Sequence, residues 1–595
     1  MVLKFGRYEL DPSAYELRRR GRAVRLERLP MELLLFLVER RGALVTRAEI
    51  ATRLWGDNVF HDVDSGVHTA IRKVRQALDD AADRPGFIQT VSGKGYRFAA
   101  AVTISDSQKP DAGRPNVAVA VLPFENLTGA AEQEYLSDGL TEETIAALGN
   151  LAGDSMRVIA RTSVMRYRHT TKSAREIGIE LGADYLIEST VRRDESTTRV
   201  TARLVRARDE AQLWSGTFDR DWRSILQIQE ELGRAIAARV QTGVGPEPAA
   251  AHHRHTTTDP DAYDFYLRGR YYWNQIRPTS LRRAIECFES AVSKDSSFAL
   301  AWSGLADTYS VLPVTSDADP RELWPKARHA ADEALRLQAE AAESWTSSGV
   351  VGFWLDWDWL RAERDLRRAV TLNPSYASGH RFLAHVLSNL GGHAEAFAAM
   401  EDARRLDPLS PVLHAVAGQL CYQARQFSGA EDRARHALAL HSDLWLGHLV
   451  LGKVYERTER TAEALDEFDK AFQLSEGNTE PLSLKGYTLA RMGRPAEAED
   501  VLRSLLETAR ARFVPPYNAA LLFAGLNDPD RAYEWLEKAR LARDVHMVFL
   551  TVEPKWDSYR QQGQFQELLR RCGLAFGDAG QVRGMKSRSL GGGRG

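Results

Sequence analysis

The stretch VDSGVHTAIRKVRQAL at Val63–Leu78, with FIQTVSGKGYRF at Phe87–Phe98 behind it, decides how the first hundred residues are read. Val67, Ile71, Val74 and Leu78 recur at i, i+4, i+7 and i+11, which is one face of an α-helix. Arg72, Lys73 and Arg75 lie off that stripe, and His68 and Thr69 stand one turn earlier. A short helix packed along one side and cationic along the other suits the width of a DNA major groove. The second piece holds two β-prone runs joined by Ser92-Gly93-Lys94-Gly95, a pattern that predicts a hairpin with a cation at its tip.

Working back toward the N-terminus, short alternating runs at Phe5–Leu10, Glu16–Arg19 and Ala23–Leu26 predict small antiparallel strands. They are broken at Asp11-Pro12-Ser13 and Gly21-Arg22. Pro30 opens an apolar helix, MELLLFLVER, that Gly42 ends. Thr46-Arg47-Ala48-Glu49 reads as a capping box starting a second helix through Leu54-Trp55. Helices followed by a basic hairpin make the layout of a winged helix.

On these motifs residues 3–99 resemble the DNA-binding effector domain of OmpR/PhoB-type regulators. The resemblance rests on LVTRAEIATRLWG, the VRQAL helix end and the QTVSGKGYRF wing. It implies double-stranded DNA as the ligand. The family's groove-facing positions fall on Thr69, Arg72, Lys73 and Arg75, with His68 beside them, and its wing contacts on Thr90, Ser92 and Lys94. Gly56–Asp62 matches the loop with which that family touches RNA polymerase. Two departures stand out. Ser65-Gly66 replaces an Arg-Thr pair that many members carry, and Ser92 replaces a common basic wing residue.

Composition limits the rest. The 595 residues suggest about four domains, and 44% hydrophobic content is enough for several cores. Net charge is −2, yet residues 1–104 carry 18 Lys+Arg against 13 Asp+Glu, an excess of five that leaves about −7 elsewhere. Polyanion binding is therefore expected of the first domain alone. Cys287, Cys421 and Cys572 are too few and too scattered for a disulfide framework or a zinc site, so a reducing cytoplasm is the expected setting. No cleavable signal opens the chain, and no run reaches the ~18 apolar residues of a membrane helix. CadC-like relatives of the winged helix often carry such a span. Here a polar linker, ISDSQKPDAGRP, occupies Ile104–Pro115 instead.

Beyond the linker the order is strand Asn116–Phe124, helix Glu132–Leu151, strand Met156–Arg161 and helix Ala174–Leu181. Strands Tyr185–Arg193, Arg199–Arg206 and Ala211–Phe218 and helix Ser224–Val240 follow, which predicts a compact α/β domain with a mixed sheet. VAVLPFENLTG, LSDGLTEE, RVIARTS, ELGADYLIEST and LWSGTFDR make this stretch similar to the TolB N-terminal-like domain. Asp138-Gly139 and Arg161-Thr162-Ser163 are candidates to line a pocket at strand ends, against their plainer reading as turns and caps. No phosphate loop, dinucleotide fingerprint or GxSxG occurs there. His252-His253-Arg254-His255 reads as an incidental polar tract in a Pro/Ala/Thr linker, not as a metal site.

From Asp261 onward the period is the signal. Ala362, Ala396, Ala430, Ala464, Ala498 and Ala532 are each 34 residues apart. Ala369, Ala403, Ala437, Ala471, Leu505 and Ala539 repeat the spacing in a second register, and Ala384, Gly418, Gly452, Gly486 and Ala520 in a third. A 34-residue helix-turn-helix period is the tetratricopeptide repeat. About eight units are read, one with an insertion near Pro313–Pro320, and a capping helix follows Val545. Such a solenoid offers a concave groove to a protein or peptide. The aromatic segment WLDWDW at Trp354–Trp359 is expected to pack between repeats.

The expected fold is multidomain: a winged helix-turn-helix at 1–103, a linker at 104–115, an α/β domain with a mixed sheet at 116–242, and a linker at 243–260. An all-α TPR solenoid at 261–575 and a flexible tail at 576–595 complete it. The expected function is a cytoplasmic, bacterial one-component transcription regulator without a receiver domain, cofactor, metal or membrane span. Its partners would be DNA, RNA polymerase, a protein in the repeat groove and a second copy of itself. Two rivals are a repeat scaffold tethered to DNA and an enzyme with an unrecognised site in 116–242.

Overall fold

The computed structural model describes residues 2–574 apart from 12–15, 56–62, 82–84, 106–116, 128–133, 153–155, 194–196, 222–224, 242–256 and the single positions 7, 20, 21, 25, 27, 41, 92, 101 and 102. The loop Gly56–Asp62 expected to touch RNA polymerase, Ser92, the histidine tract His252–His255 and the tail at 576–595 lie outside the described residues. Met1–Arg114 and Pro115–Gly595 form two compact units.

In the first unit the run expected as a single strand is split. Gly6 adopts φ +55°, a turn conformation that costs glycine nothing, and separates β1 (Val2–Phe5) from β2 (Tyr8–Asp11). With β3 (Glu16–Arg19) and β4 (Arg22–Val24) they form an antiparallel sheet. α1 (Arg28–Glu39) begins two residues before Pro30, because a proline in the first turn gives up only an N–H that has no intrahelical partner. β5 (Leu44–Thr46) leads into α2 (Arg47–Trp55), and α3 (Val63–Ala77) precedes β6 (Ile88–Val91) and β7 (Gly95–Phe98). β8 (Thr103–Ser105) pairs with β1, so residues 104 and 105, expected in the linker, belong to the sheet. The capping box is present: Thr46 N donates to Glu49 Oε2 at 2.8 Å and Glu49 N to Thr46 Oγ1 at 3.2 Å. Val67, Ile71, Val74 and Leu78 are all buried against α1 and its neighbours, each burial stabilising by about 1.5–3 kcal/mol.

The second unit opens with β9 (Val117–Val121), a wholly buried apolar strand, and the short β10 (Glu125–Asn126). α4 (Glu134–Ala152), β11 (Met156–Val158), α5 (Arg161–Val164) and α6 (Ala174–Leu181) follow. β12 (Tyr185–Arg193), β13 (Thr197–Arg206), β14 (Ala211–Asp221) and α7 (Ile225–Gln241) complete the domain. The sheet order is β11-β9-β12-β13-β14, parallel at β11/β9/β12 and antiparallel at β12/β13/β14, so it is mixed as expected.

The described part of the repeat array is eight antiparallel helix pairs. They are α8 (Pro260–Trp273) with α9 (Pro278–Lys294), α10 (Ala299–Thr315) with α11 (Pro320–Leu337), α12 (Ala342–Val351) with α13 (Trp359–Leu372), and α14 (Ala377–Asn389) with α15 (His393–Leu406). Then come α16 (Pro411–Gln423) with α17 (Phe427–Leu440), α18 (Trp445–Arg457) with α19 (Thr461–Leu474), α20 (Glu480–Arg491) with α21 (Pro495–Ala511), and α22 (Pro516–Gly525) with α23 (Pro529–Leu541). The alanines of the first 34-residue register have no exposed surface. A further register was hidden in the sequence. Gly391, Arg425, Glu459, Gly493 and Asn527, again 34 apart, all take positive φ at the turn inside a pair, although only two are glycine. The WLDWDW tryptophans are buried, with Arg543 over the rings of Trp357 and Trp324.

Two features depart from an open solenoid. The expected insertion near Pro313 is an extension of α10, and the link after it meets the far side of the array. Asp317 pairs with Arg512 at 2.7 Å and accepts from Thr479 N, while Asn478 Nδ2 donates to Val314 O, so the array closes on itself. Residues 544–574, with α24 (Gly563–Arg571), then run along the first helices of the pairs. Thr551 Oγ1 donates to Asn389 O, Tyr422 OH to Glu553, and Trp556 Nε1 to Tyr517 OH; Lys555 lies between Tyr422, Glu456 and Glu553. The concave groove expected for a peptide is filled by the chain's own C-terminal segment.

His546, in that segment, is buried beside Asp544 (2.9 Å) and Glu480 (3.5 Å). Burial alone would lower its pKa, but its hydrogen bond to Asp544 and the attraction of both carboxylates outweigh burial and push it up to about 10. Its stabilising share is complete below about pH 6.5 and is lost as pH rises through about 10. Thermal melts should therefore show the gap between the full chain and its His546→Gln variant narrowing from pH 7 to pH 10, and a constant gap would contradict this account. Ala464→Leu, which overpacks a closed contact, should cost about 1–3 kcal/mol in the same assay. Glu459→Gly should instead stabilise by about 1 kcal/mol, since glycine holds the left-handed turn without strain.

Candidate nucleic-acid interface

The surface formed by α3 and the β6–β7 wing is set by three local devices. An aromatic cluster of Phe5, Tyr8, Phe87 and Phe98, with ring centroids 5.0–6.5 Å apart, fixes the base of the wing to the N-terminal sheet. The wing turn uses Gly93 at φ +71° and Gly95 at φ +151°, with Lys94 N donating to Val91 O at 3.0 Å. A Cβ on Gly95 would sit 2.1 Å from Val45 O, so β5 and β7 approach too closely for any side chain there, whereas Gly93 faces open space.

The third device ends α3. Asp80 N donates to Arg75 O and Asp79 N to Gln76 O, with Asp79 at φ +47°; this is a Schellman end with aspartate where glycine is usual. Asp80 is thereby placed beside the start of the wing. Its Oδ1 accepts from Gly86 N at 2.6 Å and Phe87 N at 3.1 Å, and its Oδ2 from Ile88 N at 2.8 Å.

Against this frame the expected site residues separate into groups. His68, Thr69 and Arg72 are exposed on the outer side of α3, and Lys73 is half-buried. Lys94 is exposed at the wing tip, and Thr90 is exposed on β6. Arg75, expected to face the groove, turns to the wing: its Nη2 donates to Ile88 O at 2.8 Å and to Thr90 Oγ1 at 2.9 Å. Between helix and wing lies a groove of about 540 Å³ lined by Arg47, His68, Arg72, Arg75, Thr90 and Tyr96 among others. Arg47 and Asp80 were not anticipated. Arg47 was legible only as the first residue of a capped helix, and Asp80 only as an acid trailing a helix of basic character. The arrangement gathers Arg47, Arg72 and Arg75 around one groove, the clustered positive charge that a phosphate backbone requires.

The middle domain's candidate residues are used differently. Arg161 pairs with Asp138 at 2.8 Å, and Asp138 also meets Arg168. Ser163 donates from N (2.8 Å) and Oγ (2.6 Å) to Asp407 Oδ1 in the repeat array. A Cβ on Gly139 would lie 2.6 Å from Leu267 Cδ2 of α8. Ser163 and Gly139 pack the α/β domain on the repeats, while Asp138, Arg161 and Arg168 pair within the domain. Among the described residues no group of three or more metal-ligating side chains occurs, and no helix is long and apolar enough to cross a membrane.

Comparison with known proteins places the parts. Residues 21–98 match the family described as transcriptional regulatory protein, C terminal; residues 115–235 match the HilA/YgeH-like transcriptional regulator, second domain; residues 416–479 match the tetratricopeptide repeat. The chain thus joins an OmpR/PhoB-type domain to a HilA-like second domain and tetratricopeptide repeats. The TolB N-terminal-like resemblance of the middle stretch is not confirmed by these matches.

Among individual proteins, the chain is similar to the putative adenylate cyclase 3 of Rhizobium meliloti, 33% identical over 190 residues, 32% of each chain. It is similar to the transcriptional regulator HilA of Salmonella typhimurium, 21% identical over 377 residues, 63% of this chain and 65% of HilA. It also resembles the transcriptional activator protein IrlR of Burkholderia pseudomallei, 38% identical over 95 residues, 16% of this chain and 41% of IrlR. The chain therefore spans less than two thirds of each of these relatives.

The wing geometry has a direct check. Calorimetry of the full chain should show Gly95→Ala lowering the stability of the first unit by about 3 kcal/mol or more. Gly93→Ala, which meets no atom, should cost only about 1–2 kcal/mol. Equal small effects would mean that β5 and β7 are not so close.

Proposed function

We propose that this chain is a transcription regulator of the cytoplasm that binds double-stranded DNA sequence-specifically through α3 and the wing. The observation that carries the reading is the row of exposed His68, Thr69 and Arg72 on α3, set beside the exposed wing-tip Lys94 in a domain of the OmpR/PhoB type. In this reading Thr69, Arg72 and Lys73 address the major groove. Lys94 and Ser92 address the flanking backbone, with Thr90 at the wing base. Residues 56–62 contact RNA polymerase. The HilA-like domain and repeats receive the signal and bring a partner protein, or a second copy of the chain, to the promoter. Because the inner groove is filled by residues 544–574, the surface offered to that partner is the outer face of the array. The likeness to a cyclase extends over a third of that protein, and no cyclase chemistry is assigned to this chain from it.

The test is a titration of the full chain on DNA selected from a random pool. The log–log dependence of affinity on salt should be steep, losing about 0.9 in slope for each phosphate contact removed. Arg72→Ala should cost about 1–3 kcal/mol and relax the preference at one base pair. Lys94→Ala should weaken all sequences alike. No enrichment of any sequence by the full chain would overturn the reading and favour an adaptor built on the repeats.

A further inference from the structure

The groups that tie α3 to the wing form a connected set, and none of them is at the tip of either element. From the last turn of α3, Arg75 reaches Ile88 O and Thr90 Oγ1. From the residue just past the helix end, Asp80 receives the N–H groups of Gly86, Phe87 and Ile88. Ile88 is therefore held on both its backbone groups, its C=O by a cation and its N–H by an anion. Both anchors leave the same helix end, where the left-handed Asp79 stops the helix and Arg19 holds Asp79 at 2.7 Å.

We infer that Arg75 and Asp80 are positioning residues, a two-ended brace that sets the spacing between the helix contacts and the wing contacts along DNA. This rests on the DNA-binding reading above. The physical reason is that β6 is the outer strand of the β5-β7-β6 sheet, so the sheet itself holds it on one side alone. The hairpin's tip cation can reach a phosphate at a fixed distance from α3 only if its base is immobilised. Backbone acceptors and donors on β6 are suited to this, since one strand of the hairpin remains free for them on the side away from β7. Both bonds are made by Nη2, which turns the guanidinium toward the wing and assigns Arg75 to positioning in place of direct readout. Helix residues then choose the sequence, the wing adds affinity, and the brace decides whether both can act on the same duplex.

The proposal is tested with the full chain in two arms. Without DNA, amide exchange at Gly86, Phe87 and Ile88 should accelerate in Asp80→Ala, less in Asp80→Asn, which keeps one acceptor oxygen, while exchange in α1 stays as in the parent. Unchanged exchange at those three amides would overturn the brace, whatever the protein binds. With DNA, a cycle combining each brace variant with Lys94→Ala and with Arg72→Ala is read by titration and hydroxyl-radical footprinting. Asp80→Ala and Arg75→Ala should each weaken binding about tenfold, lose the wing's protected patch and keep that of the helix. Lys94→Ala should add nothing on either background, whereas Arg72→Ala should add its full effect. Full additivity of Lys94→Ala with both brace variants, or a loss of preference at one base pair in Arg75→Ala, would overturn the proposal. Absence of DNA binding by the parent chain would instead remove the reading on which it rests, and the exchange arm would still decide whether the brace exists.

Discussion

Close approach of helix backbones at small residues is the constraint on which the second unit depends. A Cβ on Gly452 would lie 2.5 Å from Cε1 of Phe468, and Cβ atoms on Gly269 and Gly304 would both collide with the ring of Phe288. The large aromatic and the missing side chain are two halves of one contact. Interiors packed to crystal-like density transmit a misfit to whatever lies behind it. In a stack where each pair touches its neighbours, the alanine and glycine registers therefore fix the angle between pairs as well as the distance within one. Those angles accumulate until the link after α10 meets the turn before α20. Closure is thus a consequence of many small residues acting together, with Asp317 and Arg512 marking where it occurs.

Polar groups do different work at the junction of sheet and array. Glu142 of α4 accepts from Arg270 and Asn274 of the first helix pair and lies 3.6 Å from Arg161. Burial of Glu142 works to raise its pKa, but coulombic attraction to Arg270 and Arg161 outweighs it and holds the carboxyl below the usual range. Buried pairs of this kind contribute little net stability but define orientation, since any shift leaves a charge uncompensated. The same role explains why Asp138, Arg161 and Ser163, which have the look of a site in sequence, are spent on architecture.

The parts of the fold governed by periodicity were legible in the sequence. The buried stripe of α3, the capping box at Thr46 and the 34-residue alanine spacing each follow from a local rule that one chain can display. What depended on distant partners was not legible. The self-closing of the array needs Asp317 and Thr479, which are far apart in sequence. The filled groove needs residues 544–574 to meet helices from α14 to α22. Arg75 shows the limit within the site itself. Its charge and position on the helix marked it as a reader, and only the location of Ile88 O shows that its guanidinium is already engaged. The left-handed turns were hidden for another reason: packing imposes that conformation on Arg425 and Glu459, whose side chains do not favour it, as well as on Asn527, which adopts it readily.

The filled groove also bears on the order in which this protein comes into being. Chains are made from the N-terminus, and domains generally fold as they emerge. The first unit has a core of its own and is complete once about its first hundred residues have left the ribosome. The array has no such independence, because the segment that fills its interior is made after all eight helix pairs. Until Glu553 and Trp556 are synthesised, Tyr422 and Tyr517 lack the partners that meet them in the finished array. Each newborn copy consequently passes through a stage in which the winged-helix unit is finished and the repeat array is not. That interval is the one in which chaperones, proteases or a neighbouring nascent chain meet an open ring.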